Sequence, residues 1–74
     1  MKIGRNSYEN ARKAAMDDIC KNAEKYWKYL DEFEKTEDTL KVFMAMYHED
    51  CLRRIARDWN LKVDYSTRST TITW

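Results

Sequence analysis

The 74-residue chain contains one glycine, Gly4, and no proline. Proline breaks a helix interior, and glycine costs about 1 kcal/mol there relative to alanine. Between Tyr8 and Leu61 nothing covalent interrupts a helix, so any reversal must come from capping chemistry. The same shortage excludes glycine-rich phosphate loops, whose tight backbone needs glycine. The sequence reads as one small domain, residues 1–74, mainly α with a minor β part.

Tyr8, Ala11, Ala15, Ile19, Ala23, Tyr26, Leu30 and Phe33 recur in steps of three and four, and Met16, Cys20 and Trp27 widen the face they form. This spacing predicts a helix over about 7–35, starting at Asn6 or Ser7, with Asn6 and Glu9 placed as a capping box. Asp17/Lys21, Glu24/Lys28 and Asp31/Lys35 stand acid before base at four-residue spacing, worth about 0.2–0.5 kcal/mol per pair on a solvated face.

Residues 36–39, Thr-Glu-Asp-Thr, supply the break, with Thr36 as the expected cap and Glu37 and Asp38 at the positive end of a new helix. That helix is expected over about 37–60. Its inner face is read as Leu40, Phe43, Met44, Tyr47, Cys51, Leu52, Ile55 and Trp59, and Asn60 is suited to the left-handed stop. The result is an antiparallel helical hairpin. One rival exists: Ile19, Ala23, Tyr26, Leu30, Phe33, Glu37, Leu40, Met44, Tyr47 and Cys51 form a heptad series in which only Glu37 is polar. An unbroken helix of about 50 residues would use that series in a coiled coil with a second chain. The threonines flanking two acids favour the hairpin.

The tail changes period. Leu61-Lys62-Val63-Asp64-Tyr65 and Thr70-Thr71-Ile72-Thr73-Trp74 alternate and are rich in β-branched and aromatic residues. A β-hairpin is expected over about 61–74, turning at residues 66–69. Two strands alone are marginal in water, so Leu61, Val63, Tyr65, Ile72 and Trp74 should cover the helices or pair with another chain. Residues 1–3 could add a short N-terminal strand. The expected class is α+β.

The formal charge of +1 is unevenly spread: +3 over residues 1–16, −4 over 17–39, −1 over 40–50 and +3 over 51–74. A hairpin brings Arg5, Arg12 and Lys13 toward Arg53, Arg54, Arg57 and Lys62, and leaves Asp31, Glu32, Glu34, Glu37 and Asp38 at the turn. Such a basic pole can hold phosphates or an acidic protein surface. Pairing of Glu49 with Arg53 and of Asp50 with Arg54 would offset it.

Cys20 and Cys51 lie 16 and 15 residues from Thr36, at similar height in a hairpin. They are expected as two thiols packed like small hydrophobes, with a disulfide as the sharper alternative. His48 with Cys20, Cys51 and Glu49 could be drawn as a zinc set or a thiol–imidazole pair. Closely paired ligands, a third orienting group and an oxyanion loop are all missing from the pattern. No catalytic residue, metal or cofactor is expected. The N-terminus does not read as a signal peptide, and the longest apolar run, residues 42–47, is far short of a span. A cytoplasmic setting is expected, the host cytoplasm if the chain is phage-encoded, with reduced thiols.

Residues 40–47 are apolar nearly all round, which marks a helix covered on more than one side. Either the tail sheet supplies the cover or a partner does, and methionine suits adaptable interfaces. The candidate partner-binding residues are Val42, Phe43, Met44, Met46, Arg53, Arg54, Arg57, Lys62, Arg68 and Trp74. Leu52-Arg53-Arg54-Ile55-Ala56-Arg57-Asp58-Trp59-Asn60-Leu61 resembles the first helix and turn of a helix-turn-helix reader, but β-type sequence follows where its recognition helix must stand. In scale and style the chain resembles the small inhibitors made by phages and mobile elements, including anti-CRISPR proteins. That resemblance implies a non-enzymatic protein-binding module that blocks a host system sterically. Two other expectations stand beside it. One is a small nucleic-acid-binding regulator using Arg53, Arg54, Arg57, Lys62 and Arg68. The other is a homodimeric structural element paired through its second helix.

Overall fold

In the computed structural model, residues 5–73 are described, with side chains from residue 7 onward. The order is α1 (Arg5–Thr36), α2 (Thr39–Asp58), β1 (Lys62–Asp64) and β2 (Thr71–Thr73). The helices pack as an antiparallel hairpin, and the strands form a two-stranded antiparallel sheet. Helix α1 begins at Arg5, so Asn6 lies inside the helix and not at its cap. The expected strand at residues 1–3, and Trp74, lie outside the described residues.

The reversal is made by three consecutive residues. The Thr36 hydroxyl donates to the Glu32 carbonyl (2.8 Å) and accepts from the Asp38 N–H (3.3 Å). Glu37 takes a left-handed conformation (φ 55°), and its N–H closes α1 on the Phe33 carbonyl at 2.7 Å. A helix end of this kind usually carries glycine, since a side chain costs about 1–2 kcal/mol there. Asp38 is extended (φ −79°, ψ 109°) and accepts the Leu40 N–H on Oδ1 at 3.0 Å. The cap of α2 is therefore Asp38 and not Thr36, whose hydroxyl is committed to ending α1. At the far end, Asn60 is also left-handed (φ 55°), as expected from its amide side chain. Its N–H reaches the Arg57 carbonyl (3.1 Å) and that of Leu61 reaches Ala56 (2.8 Å), the double closure of a Schellman motif.

The seam between the helices is lined by small residues: Ala15 and Ala23 from α1, Ala45 and Ala56 from α2. Ile19 and Leu52 are the large side chains fully enclosed among the described residues. Ala23, Ala56 and Leu61 complete the cluster around them, and Met16, Ile55, Trp59, Val63, Tyr65 and Ile72 pack against it. The sheet is shorter than its sequence predicts. Val63 pairs directly with Ile72, and both lean inward while Lys62, Asp64, Thr71 and Thr73 stay exposed. Asp64 Oδ1 opens the connecting turn by accepting from the Ser66 N–H (3.0 Å) and hydroxyl (2.7 Å).

Tyr65 pins the sheet to both helices. Its carbonyl accepts the Trp27 indole N–H of α1 at 3.0 Å, and its hydroxyl donates to Glu49 of α2 at 2.8 Å. Its ring meets Tyr26 edge-on at 5.5 Å. Burial, reinforced by the Glu49 carboxylate, pushes the Tyr65 hydroxyl up to about 12. The particle measures 50 × 22 × 15 Å. Its long axis matches the roughly 48 Å expected for the 32 residues of α1.

Candidate functional site

The sheet covers only the second half of α2, where it packs on Leu52 and Ala56 together with Leu61 just beyond the helix. The first half is left bare. Leu40, Phe43 and Tyr47 are each 65% exposed, Met46 56% and Met44 40%. At roughly 100° per residue, Leu40, Phe43, Met44 and Tyr47 fall on one side of α2, nearly opposite the buried Ala45, Leu52 and Ala56. Of the two covers weighed for residues 40–47, the tail sheet is ruled out by its position. With His48 these four residues line an open apolar groove of about 480 Å³.

The inner face read from the sequence was thus half right. Leu52 is buried and Ile55 and Trp59 are partly so, but Leu40, Phe43, Met44 and Tyr47 point away from α1. The reason lies in the seam. Ala45 occupies the inward position of this stretch, and an alanine is a weak periodic signal beside four large residues. Val42 is half-buried and does not line the groove, while Met46 is exposed outside it.

The groove is bordered by packed aromatics. The His48 ring stacks on Tyr29 of α1 (5.6 Å, 13°) and meets Tyr47 edge-on (5.2 Å). His48 Nδ1 lies 2.9 Å from Asn22 Oδ1. Burial, helped by Lys25, lowers its pKa below the ordinary histidine value. Lys41 spans the helices to Glu32 at 3.0 Å and rests 5.6 Å from the Tyr29 ring centre. These contacts hold the wall of the groove against α1.

The basic candidates divide. Arg53, Arg54 and Arg57 are exposed and line an open cleft with Asp50, and Lys62 is exposed on β1. Arg54 pairs with Asp50 at 3.0 Å, as the spacing predicted. Glu49 is instead the acceptor for Tyr65. Arg68 stands apart from this group. It forks onto Asp31 of α1 and lies 5.3 Å from the Trp27 ring, so it latches the sheet tip to α1. Asp31 makes its close pair with Arg68, whose guanidinium holds that carboxyl below the usual range, while Lys35 at the four-residue spacing adds only a weaker attraction.

Cys20 and Cys51 are free thiols, each half-buried. Burial, with Asp17 and Glu24 adding to it, raises the Cys20 thiol and holds it protonated. Among the described residues, no three His, Cys, Asp or Glu side chains gather as a metal set. His48 is turned onto Tyr29 and Asn22. No helix is long and apolar enough to cross a membrane among the described residues. Compared with family models, curated proteins and solved structures, the chain matches none.

The sequence reading missed Leu40 and Tyr47 as members of this face, together with His48 at its edge. The signal was present: Leu40, Met44, Tyr47 and Cys51 continue a heptad that the hairpin itself does not use.

Proposed function

We propose that the chain is a non-enzymatic protein-binding module whose docking face is the stripe Leu40, Phe43, Met44 and Tyr47. One observation carries this reading. Four large apolar side chains at i, i+3, i+4 and i+7 stand in water on one side of α2, with Met46 exposed beside them, while Leu52, Ala56 and Ile55 further along the helix are packed. A contiguous patch of this kind on so small a domain supports an interface. Spacing and width fit a partner helix laid into the groove. Such a module works by occupying space. That supports the inhibitor reading, in which a phage or mobile-element product covers the working surface of a host component.

The test is a photo-crosslinking residue placed at Phe43, with the crosslinked peptide identified by mass spectrometry. Capture of a defined peptide, lost when Tyr47→Lys is added, supports the module. Absence of any crosslink at Phe43 in the cell of origin and in purified protein would remove the reading.

The exposed cleft of Arg53, Arg54 and Arg57 favours a second reading, nucleic-acid binding. Phosphate contacts would make that binding fall steeply with salt in a gel-shift titration. Binding that does not change with salt would eliminate it.

A further inference from the structure

We infer that the occupant of the α2 stripe is the α2 stripe of a second copy, laid antiparallel to form a four-helix assembly. This rests on the docking face proposed above and names its partner.

The repeat gives the register. Leu40, Met44, Tyr47 and Cys51 advance by four, three and four, the a/d spacing of a coiled coil. On α1 the corresponding heptad residues Ile19 and Ala23 are buried in the core, so that half of the repeat is consumed within the chain. On α2 Leu40, Met44 and Tyr47 of the repeat face outward, and Cys51 is half-buried at its end. A two-fold axis passing between Met44 and Tyr47 sets Met44 against Tyr47 and Leu40 against Cys51 of the other copy. Each of these pairs sums to 91, and the turn that precedes α2, with Glu37 and Asp38, falls toward the Arg54 end of the other copy.

Charge then chooses the direction. The N-terminal shoulder of the stripe carries Glu37 and Asp38, and its C-terminal continuation carries Arg54 with Arg53 beside it. Arg54 continues the repeat at the step after Cys51 and is largely exposed. Its Nε is held by Asp50, but a guanidinium has further N–H donors for a second carboxylate. Antiparallel pairing sets acid against base at both ends and opposes the helix dipoles. Parallel pairing would set Glu37 on Glu37 and Arg54 on Arg54.

The area is at the lower limit. Phe43 and Tyr47 are each 65% exposed. At roughly 200 Å² per aromatic, two copies of this pair offer about 500 Å², and Leu40 and Met44 add less than that, which leaves the total just under the ~1,000 Å² at which specific interfaces begin. An interface at that threshold is concentration-dependent. Arg53 and Arg57 and both sheets remain on the outside of such a dimer, free to meet a third component.

Sedimentation velocity across a wide concentration range reads the assembly. The expected result is a monomer–dimer equilibrium that Tyr47→Glu abolishes while circular dichroism stays helical. Glu37→Arg and Arg54→Glu should each weaken dimerisation roughly three- to tenfold, and together restore it, because each swap affects two symmetric ion pairs. Register is read by Leu40→Cys in a Cys20→Ser background under mild oxidant, which should give a disulfide between positions 40 and 51 of different chains. A 40–40 disulfide, or a double swap that fails to restore pairing, overturns the antiparallel arrangement. A particle monomeric at every concentration overturns self-pairing altogether. The docking face itself then survives if the crosslinker at Phe43 still captures a foreign peptide, and fails if it captures nothing.

Discussion

The two halves of the hairpin are built from the same pair of helices, yet they end differently. Around Ile19 and Leu52 the helices carry a third layer, and the tail buries its own apolar residues in covering theirs. Around Ala45 there is no third layer, and the larger side chains of α2 stand in solvent. The difference teaches that amphipathic periodicity identifies a helix before it identifies the helix's inner side. Where alanine makes the seam, the large residues are free to serve another surface.

The sharpest way to break this contrast is to truncate one residue from each half. Leu52→Ala is expected to cost about 2–5 kcal/mol as an enclosed cavity. For a domain that holds roughly 3–5 kcal/mol in all, that leaves it largely unfolded. Phe43→Ala, in dilute protein, is expected to change stability by less than about 0.5 kcal/mol. Urea denaturation followed by circular dichroism compares them, and equal losses would erase the distinction between the halves.

Next in size is the pin of the covered half. Tyr65→Phe removes a hydrogen bond to a carboxylate and should lower stability by about 1–2 kcal/mol. Because the folded hydroxyl is raised to about 12, above its ordinary value near 10, its contribution is complete below pH 10 and is lost as pH climbs toward 12. Alkaline absorbance titration should show Tyr65 ionising last in the native chain, and Tyr65→Phe should remove that step while Tyr26, itself raised by burial and by Glu49, still ionises above the ordinary tyrosine range.

The turn sharpens the comparison on a smaller scale. Asp38→Ala deletes the cap of α2 and should cost about 1 kcal/mol. Glu37→Gly relieves a left-handed side chain and should gain up to about 1 kcal/mol, less the added freedom of the unfolded chain. A loss from Asp38→Asn as large as that from Asp38→Ala would deny the capping role, since asparagine caps as well as aspartate.

The smallest effect belongs to His48, which borders the bare half. Its folded pKa lies below the unfolded value of about 6.5, so the unfolded chain takes up the proton first. Stability should be full above pH 6.5 and decline as pH falls through and below it, with Asn22, Tyr29, Tyr47 and Lys25 as the groups facing the ring. Thermal melts of the native chain and His48→Gln should diverge on that acid limb, and superimposable limbs would remove His48 from the account.

Much of the frame was legible in the chain itself. The absence of proline, the Thr-Glu-Asp-Thr break and Asn60 predicted two helices and their limits, and alternation at residues 61–65 and 70–74 predicted the sheet. These are local properties, set by the backbone and its nearest side chains. The cap slipped from Thr36 to Asp38 because one hydroxyl cannot both close α1 and open α2. Arg68 could not be placed, because its partners Asp31 and Trp27 lie far along the chain and meet it only after the tail folds back. The docking face was half legible. Its residue types were singled out, but its orientation depended on Ala45, whose small side chain leaves no mark in a pattern of large ones.

Helix α1 runs from Arg5 to Thr36 without a glycine or proline to bend it, and it spans the whole particle. A tilt imposed at the Thr36 tip must therefore reappear near Arg5 with nothing between to absorb it. The molecule behaves as a spoke. Whatever grips the bare end also fixes the bearing at which the arginines of the opposite end are held out.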